Sequence, residues 1–327
     1  MMKHSKLFLM VLLPVFLLWS CEDDDETIDL EAPSFTQVMS PNFDEDNPNV
    51  SRLRGQYMHV HPAGEDHLEI MGTVSDNEGV SQVQIDVHSG HDGHTHGRTA
   101  EALPLLNVDK VISANGATTF DFEEEIHLEE DDYRAGPYHF ALKAVDVAGN
   151  GTSYEDDTHV YGGVYIKRPY MPRLVMEGET NEDMDEVDLH PGEEMHLHGE
   201  ILQHQGGRSF DVTFIRVTIV EDEHDDHDHE GDDHDDHGDD DDHDHGHGHD
   251  HLYEAAWGTS MYFTDESGNT VSGEPMPAFM NDRLSLDDLF ETAPFMVTEE
   301  ASHKVLRFEV EDEGGNMMIR EFEIHAH

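Results

Sequence analysis

The chain is written twice. His61-Pro62-Ala63-Gly64-Glu65-Asp66-His67-Leu68 returns as His190-Pro191-Gly192-Glu193-Glu194-Met195-His196-Leu197. Further on, Asp146-Val147-Ala148-Gly149-Asn150 returns as Asp312-Glu313-Gly314-Gly315-Asn316. Between these marks Val83, Ile85 and Val87 alternate with Gln84 and Asp86, as Ile215, Val217 and Ile219 alternate with Arg216 and Thr218. Near the end of each copy, Tyr138, Phe140 and Leu142 match Leu306, Phe308 and Val310. Alternation with a period of two is the pattern of half-buried strands. Little in either copy has a helical period, and Asp282 to Glu291 is the main candidate for a short helix.

Each copy, at about 130 to 150 residues, is long enough to bury a core of its own. Several short alternating strands separated by Gly, Asn, Asp and Pro turns predict an all-β chain of two tandem antiparallel β-sandwiches. The first would occupy residues 33–168 and the second 169–327, with Arg168-Pro169-Tyr170-Met171-Pro172 as a stiff link. The Asp-x-x-Gly-Asn turn before the last strand resembles bacterial immunoglobulin-like and cadherin-like modules. That resemblance implies immunoglobulin-like domains without the cysteine pair and core tryptophan of antibody domains.

The start of the chain reads as an address. Lys3 and Lys6 precede the apolar stretch Leu7 to Trp19. Thirteen residues at about 1.5 Å each span roughly 20 Å, short of the ~30 Å hydrocarbon core. Residues 1–20 are therefore expected to be a signal peptide. Leu18-Trp19-Ser20-Cys21 resembles the lipobox of bacterial lipoproteins, which implies cleavage before Cys21, acylation of that residue and attachment to outer-membrane lipid. An ordinary signal peptide followed by a chance cysteine is the plainer account. Cys21 is the one cysteine of the chain, so no internal disulfide and no thiolate metal site can form. Residues 21–32 form an acidic tether, and Glu22-Asp23-Asp24-Asp25-Glu26 resembles the surface-export signal of Bacteroidota lipoproteins. A solvated spacer would need the same residues, so a periplasmic face stays open beside the cell surface.

The formal net charge is −58, and it is not confined to one place. Residues 221–251 hold 17 of the 75 acidic groups, which leaves 58 against 17 basic ones elsewhere. Such a field repels nucleic acid and anionic lipid, and it concentrates cations near the surface.

From His224 to His251 only four residue types occur: ten His, thirteen Asp, one Glu and four Gly. With no apolar side chain the stretch cannot offset its ordering entropy, and a disordered loop inserted after the Ile215–Ile219 strand is expected. The first copy has a smaller version at the same place, where His88, His91, His94 and His96 follow the Val83–Val87 strand. Neutral imidazole is a borderline ligand suited to Zn²⁺, Ni²⁺, Cu²⁺ and Co²⁺. The candidate ligands of the long insertion are His224, His227, His229, His234, His237, His243, His245, His247, His249 and His251. Alternate histidines from His243 onward can close on one ion, with Gly246 and Gly248 letting the backbone fold round it. The aspartates can complete a shell or orient imidazoles. At three to four protein ligands per ion, ten histidines hold about three ions. A solvated acidic spacer would explain the aspartates but not the histidines. The carboxylates also admit Ca²⁺, although the spacing of an EF-hand is missing. His229-Glu230 with His234 does not make a zincin motif, because the second histidine falls one residue too far.

A weaker set is the repeated pair His61/His67 and His190/His196, with His59 and His198 on the same strand faces. A His-Pro turn into a strand, its histidines merely exposed, is the preferred account of this set. His127, His139, His159 and His303 read as single surface or packing residues. Gly-x-Ser-x-Gly, P-loop and His-Glu-x-x-His patterns are missing, which speaks against a hydrolase.

Taken along its mature length, the chain resembles a Bacteroidota lipoprotein family of unknown function with tandem immunoglobulin-like modules and His-rich insertions. The expected function is metal capture or buffering at the outer membrane, beside a TonB-dependent receptor or a metal permease. The alternative, from a different class, is a cell-surface adhesion or scaffold lipoprotein without a metal role.

Overall fold

The computed structural model describes residues 29–40, 57–60, 67–89, 103–128, 133–153, 160–179, 184–221, 252–258, 262–264 and 270–327. The first copy contributes β1 (Ser34–Met39), β2 (Tyr57–Val60), β3 (His67–Ser89), β4 (Val108–His127), β5 (Gly136–Asp146) and β6 (Val160–Ile166). The second opens with β7 (Arg173–Met176), β8 (Glu186–Leu189), β9 (Gly199–Leu202), β10 (Val212–Glu221) and β11 (Tyr253–Gly258). It continues through β12 (Tyr262–Thr264), β13 (Thr270–Ser272), β14 (Glu274–Pro275), β15 (Arg283–Ser285), α1 (Leu286–Thr292), β16 (Lys304–Asp312) and β17 (Met317–Ala326). The chain is all-β, with one α-helix among the described residues.

Strand pairing shows the duplication directly. In the second copy β7, β9 and β15 make one layer, in the order β15-β9-β7. The other layer runs β14-β11-β10-β16-β17-β8. In the first copy β3 and β4 serve both layers. Residues His67 to Ser75 of β3 pair with β1 and with Thr119–His127 of β4, whereas Val80 to Ser89 pair with β5 and with Val108–Ala117. The first half of β3 is thus the counterpart of β9, and its second half the counterpart of β10. Short strands are what the alternation predicts, yet β3 runs for 23 residues and β4 for 20. The pair bends at a bulge instead of breaking. Asp76 Oδ1 accepts the amides of Glu78 and Gly79, and a side chain at Gly79 (φ +124°) would collide with the Gly116 carbonyl. A residue lacking Cβ is the one that fits there.

Two further details depart from the sequence reading. Each copy ends one layer with a parallel pair, β2 on β6 and β8 on β17, and β14 adds a third parallel pair on β11 at the opposite edge of the second copy's larger layer. The match of Tyr138, Phe140 and Leu142 to Leu306, Phe308 and Val310 is two residues out. Val83 pairs with Ala144 and Ile215 with Val310, so Phe140, Leu142 and Ala144 are the true counterparts. A slip of two keeps every side chain on its face, which is why alternation alone does not detect it.

The core of the first copy is built on Leu68, Ile70, Val83, Ile85, Val87, Phe140, Leu142 and Val164. In the second, Ile215, Val217, Ile219, Leu306, Phe308 and Phe322 meet Leu174, Ile201 and Leu284 of the smaller layer. A core tryptophan is present after all. Trp257 on β11 is fully buried, donates Nε1–H to Thr292 Oγ1 at 2.7 Å and stands edge-on to Phe290. It pins α1 to the sheet. The helix starts at Leu286, later than the pattern suggests, because Arg283–Ser285 pair with β9 and Ser285 caps the helix by accepting the Asp287 amide. Asp287 and Asp288 in the first turn suit the positive end of the helix.

The copies meet where β5 begins. Ala135 donates its amide to Asn316 Oδ1 and accepts the Met317 amide, at 2.9 and 3.0 Å. Tyr165 is buried, and its hydroxyl links the Met317 carbonyl and the Ile319 amide. Tyr170 of the link donates to the Tyr133 carbonyl at 2.6 Å.

Candidate metal-binding residues

Cys21, His61, His91, His94, His96 and His224, His227, His229, His234, His237, His243, His245, His247, His249 and His251 lie outside the described residues. What is described is where the two histidine insertions leave the fold. The first separates β3 from β4 and the second separates β10 from β11, which are equivalent strand pairs of the two copies.

His88 stands at the root of the first insertion, on the last turn of pleat in β3. Asp86 Oδ1 is 2.9 Å from its Nδ1, and the His139 ring on β5 stacks on it at 5.7 Å between centroids. Burial works against the charge of Asp86, but hydrogen bonds from His88 and Lys143 outweigh it and hold its pKa below the ordinary value. A carboxylate that stays ionised and orients an imidazole is the usual support of a metal-binding histidine. His139, read from sequence as a lone residue, is therefore a direct neighbour of a candidate ligand.

The repeated pairs are placed differently. His67 lies opposite His127 in the β3–β4 ladder, with ring centroids 6.4 Å apart and Glu125 Oε1 3.9 and 3.7 Å from their Nδ1 atoms. His190, His196 and His198 are exposed. His190 Nδ1 approaches the His327 carbonyl at 3.3 Å, and His198 Nδ1 is 3.4 Å from Asp287 Oδ2 on α1. The His190-Pro191-Gly192-Glu193 segment is a turn, closed by the Glu193 amide on the His190 carbonyl.

Two groups among the described residues bring three ligand atoms within 4.8 Å of one another, and the sequence reading had neither. One is Asp29, Asp76 and Asp146, where the segment leading into β1 meets the β3 bend and the Asp-x-x-Gly-Asn turn. Burial opposes the charge of Asp146, but Asn150 and the amides of the turn lower its pKa. Asp29 Oδ2 and Asp76 Oδ2 are buried without a hydrogen-bond partner. An all-oxygen set has the hardness that Ca²⁺ and Mg²⁺ prefer, not that of the ions imidazole selects. Asp146 and Asn150 were visible as a turn motif, but nothing in sequence brings Asp29 to them. The second group is Glu186, Glu323 and His325.

His204 is a different kind of residue. It sits at φ +56° between Asp211 (2.7 Å) and Asp282 (2.8 Å). Its hydrogen bond to Asp211 raises its pKa against the opposing effect of burial, with Asp282 adding to the rise. Both ring nitrogens are engaged, so it is a clasp between loops and not an open ligand.

No curated protein matches the chain. Among solved structures, a Niemann-Pick type C2 protein from Japanese carpenter ant is 9% identical, with 42% of this chain and 94% of that one covered at a TM-score of 0.25. Dimeric latent PorU from Porphyromonas gingivalis is 12% identical, with 93% of this chain aligned, and the chain spans only 21% of PorU, at 0.26. The sialic acid binding region of a Streptococcus sanguinis SK1 adhesin is 11% identical, covering 91% and 78%, at 0.21. The fold assignment rests on the strand pairing and not on these likenesses. Residues 19–161, which take in most of the first copy, match the model of a domain of unknown function, DUF4625.

Proposed function

We propose that the chain is an exported lipoprotein, held to outer-membrane lipid through Cys21 and facing the cell surface, that binds divalent transition metal ions through its His/Asp-rich loops. Capture or buffering of Zn²⁺, Ni²⁺, Cu²⁺ or Co²⁺ beside a TonB-dependent receptor or metal permease is the role that fits. One observation carries the reading: histidine-rich insertions leave the fold between equivalent strands of a duplicated module, β3/β4 and β10/β11. Two copies that differ widely in sequence both carry runs of histidine between these strands. The acidic surface supports it by concentrating cations around the loops.

The test is calorimetric titration of Zn²⁺ and Ni²⁺ into the full chain and into a chain lacking residues 224–251. Loss of about three ions per chain on excision is the expected result. Unchanged stoichiometry would remove the loop from the mechanism and leave an adhesion or scaffold lipoprotein as the better description.

A further inference from the structure

On the open edge of the second copy, β8 and β17 run parallel with Glu186 opposite Glu323 and Asp188 opposite His325. Glu186, Glu323 and His325 point to the same outer face, between the buried Val187 and Ile324 of the inner one. His325 Nε2 is 3.5 Å from Glu186 Oε2. His303, held by its amide on the Ile324 carbonyl, brings Nδ1 to 3.8 Å from Glu323 Oε1 and its ring to 6.3 Å from that of His325. His327 stacks parallel to His325 one step along the strand, at 6.2 Å.

We propose that Glu186, Glu323, His325 and His303 hold one divalent transition metal ion on this face, a site formed by the fold itself. Bonds of about 2.0–2.2 Å place tetrahedral ligand atoms about 3.4 Å apart, close to the separation already set between His325 and Glu186. The remaining donors lie on exposed side chains that close the distance by rotation. Two carboxylates balance the ion's charge, and two imidazoles select a borderline metal over Ca²⁺ or Mg²⁺. Without an ion, two glutamates stand directly opposite each other across a ladder, an arrangement that costs stability.

Comparison of the copies sharpens the argument. The ladder pairs Gly163 with Tyr57 in the first copy where it pairs Glu323 with Glu186 in the second, so Tyr165 takes the position of His325. Tyr165 is buried against the second copy. The face that one copy uses to receive its neighbour is left open in the other, and there the apolar ring is replaced by a metal ligand among carboxylates. This site shares its ion class with the loop reading and none of its residues, so either can fail alone.

The experiment follows the thermal midpoint of the full chain in Zn²⁺, beside His325→Gln, Glu323→Gln and a chain whose ten loop histidines from His224 to His251 are Asn. An ion that binds the folded site and not the unfolded chain raises the midpoint, by about 5 °C or more at a hundredfold excess over Kd. The rise should persist in the loop variant and fall by more than half in each single variant, whose metal-free midpoints stay within about 1 °C of the parent. Retention of the full rise in both single variants overturns the site. So does a parent chain that binds Zn²⁺ with no rise at all, an outcome that leaves the loop reading standing.

Discussion

Arg320 holds both carboxylate oxygens of Glu179, Nη2 at 2.7 Å from Oε1 and Nη1 at 2.9 Å from Oε2. The pair is buried and spans 141 residues, from the loop after β7 to the middle of β17. Glu179 also accepts the amides of Met176 and Met184, so one side chain ties the end of β7 to the residue two before β8. Burial opposes its charge, yet Arg320 and these amides bring its pKa down to about 2.

Removing one partner strands the other. Glu179→Ala should cost about 3–5 kcal/mol, read as a fall in the denaturant midpoint at pH 7. A carboxyl with a depressed folded pKa lends stability that is whole above its ordinary value of 4.5 and is lost as pH falls toward 2. The gap between parent and variant should therefore narrow across that interval. A gap independent of pH would mean that packing, not charge, is what the mutation removes.

Glu311 behaves in the opposite sense. Burial raises its pKa to about 7, against the favourable charge of Arg134, and Oε2 has no hydrogen-bond partner. Burial likewise lifts the adjacent Asp312 to about 6. With the folded pKa raised, stability is greatest below 4.5 and is lost as pH climbs through 7. Glu311→Gln should stabilise the fold at pH 8 by on the order of 2 kcal/mol, read as a rise in the denaturant midpoint, and change little at pH 4. Equal effects at both values would contradict a buried, reluctantly charged carboxyl.

Cys21→Ala should release the protein from the membrane fraction of the producing cell. Fractionation followed by immunoblotting checks this, and a variant that stays with the membrane would sink the lipoprotein proposal.

Loading of the loops should follow imidazole protonation. A ligand histidine must be neutral, and carboxylates as dense as those of residues 224–251 should push its ordinary pKa of ~6.5 upward. Half-maximal Zn²⁺ or Ni²⁺ occupancy at low metal should shift steeply between about pH 5.5 and 7.5. Replacing the ten histidines by Asn should abolish most of the binding. If that variant keeps the full stoichiometry, the aspartates bind the ions.

The duplication and the strand faces were legible because alternation and turn motifs are local properties. Val83, Ile85 and Val87 are buried as the pattern requires, and so are Ile215, Val217 and Ile219. Long-range placement was not legible. The clustering of Asp29 with Asp76 and Asp146 depends on a chain entry 47 residues before the bend. Glu186 meets Glu323 only through a parallel edge pairing that no period in the sequence announces. His325-x-His327 did repeat the alternate spacing of His243-x-His245, and that spacing was the available signal for the C-terminal face. β3 runs longer than the alternation predicts because Asp76-Asn77-Glu78-Gly79, turn-like in composition, forms a bend within the strand.

The Asp-x-x-Gly-Asn turn does the same work at both ends of the first copy. Asn150 donates Nδ2–H to the Asp29 carbonyl, gripping the segment that precedes β1, and Asn316 grips Ala135 of the preceding copy. Each module therefore grasps a segment upstream of it through the asparagine that ends its own turn. The backbone carries any pull from the N-terminal side into β1, and Asn150 adds a second hold on the segment before that strand. Asn316 adds the corresponding hold at the junction of the two copies, beside the covalent link of residues 168–172.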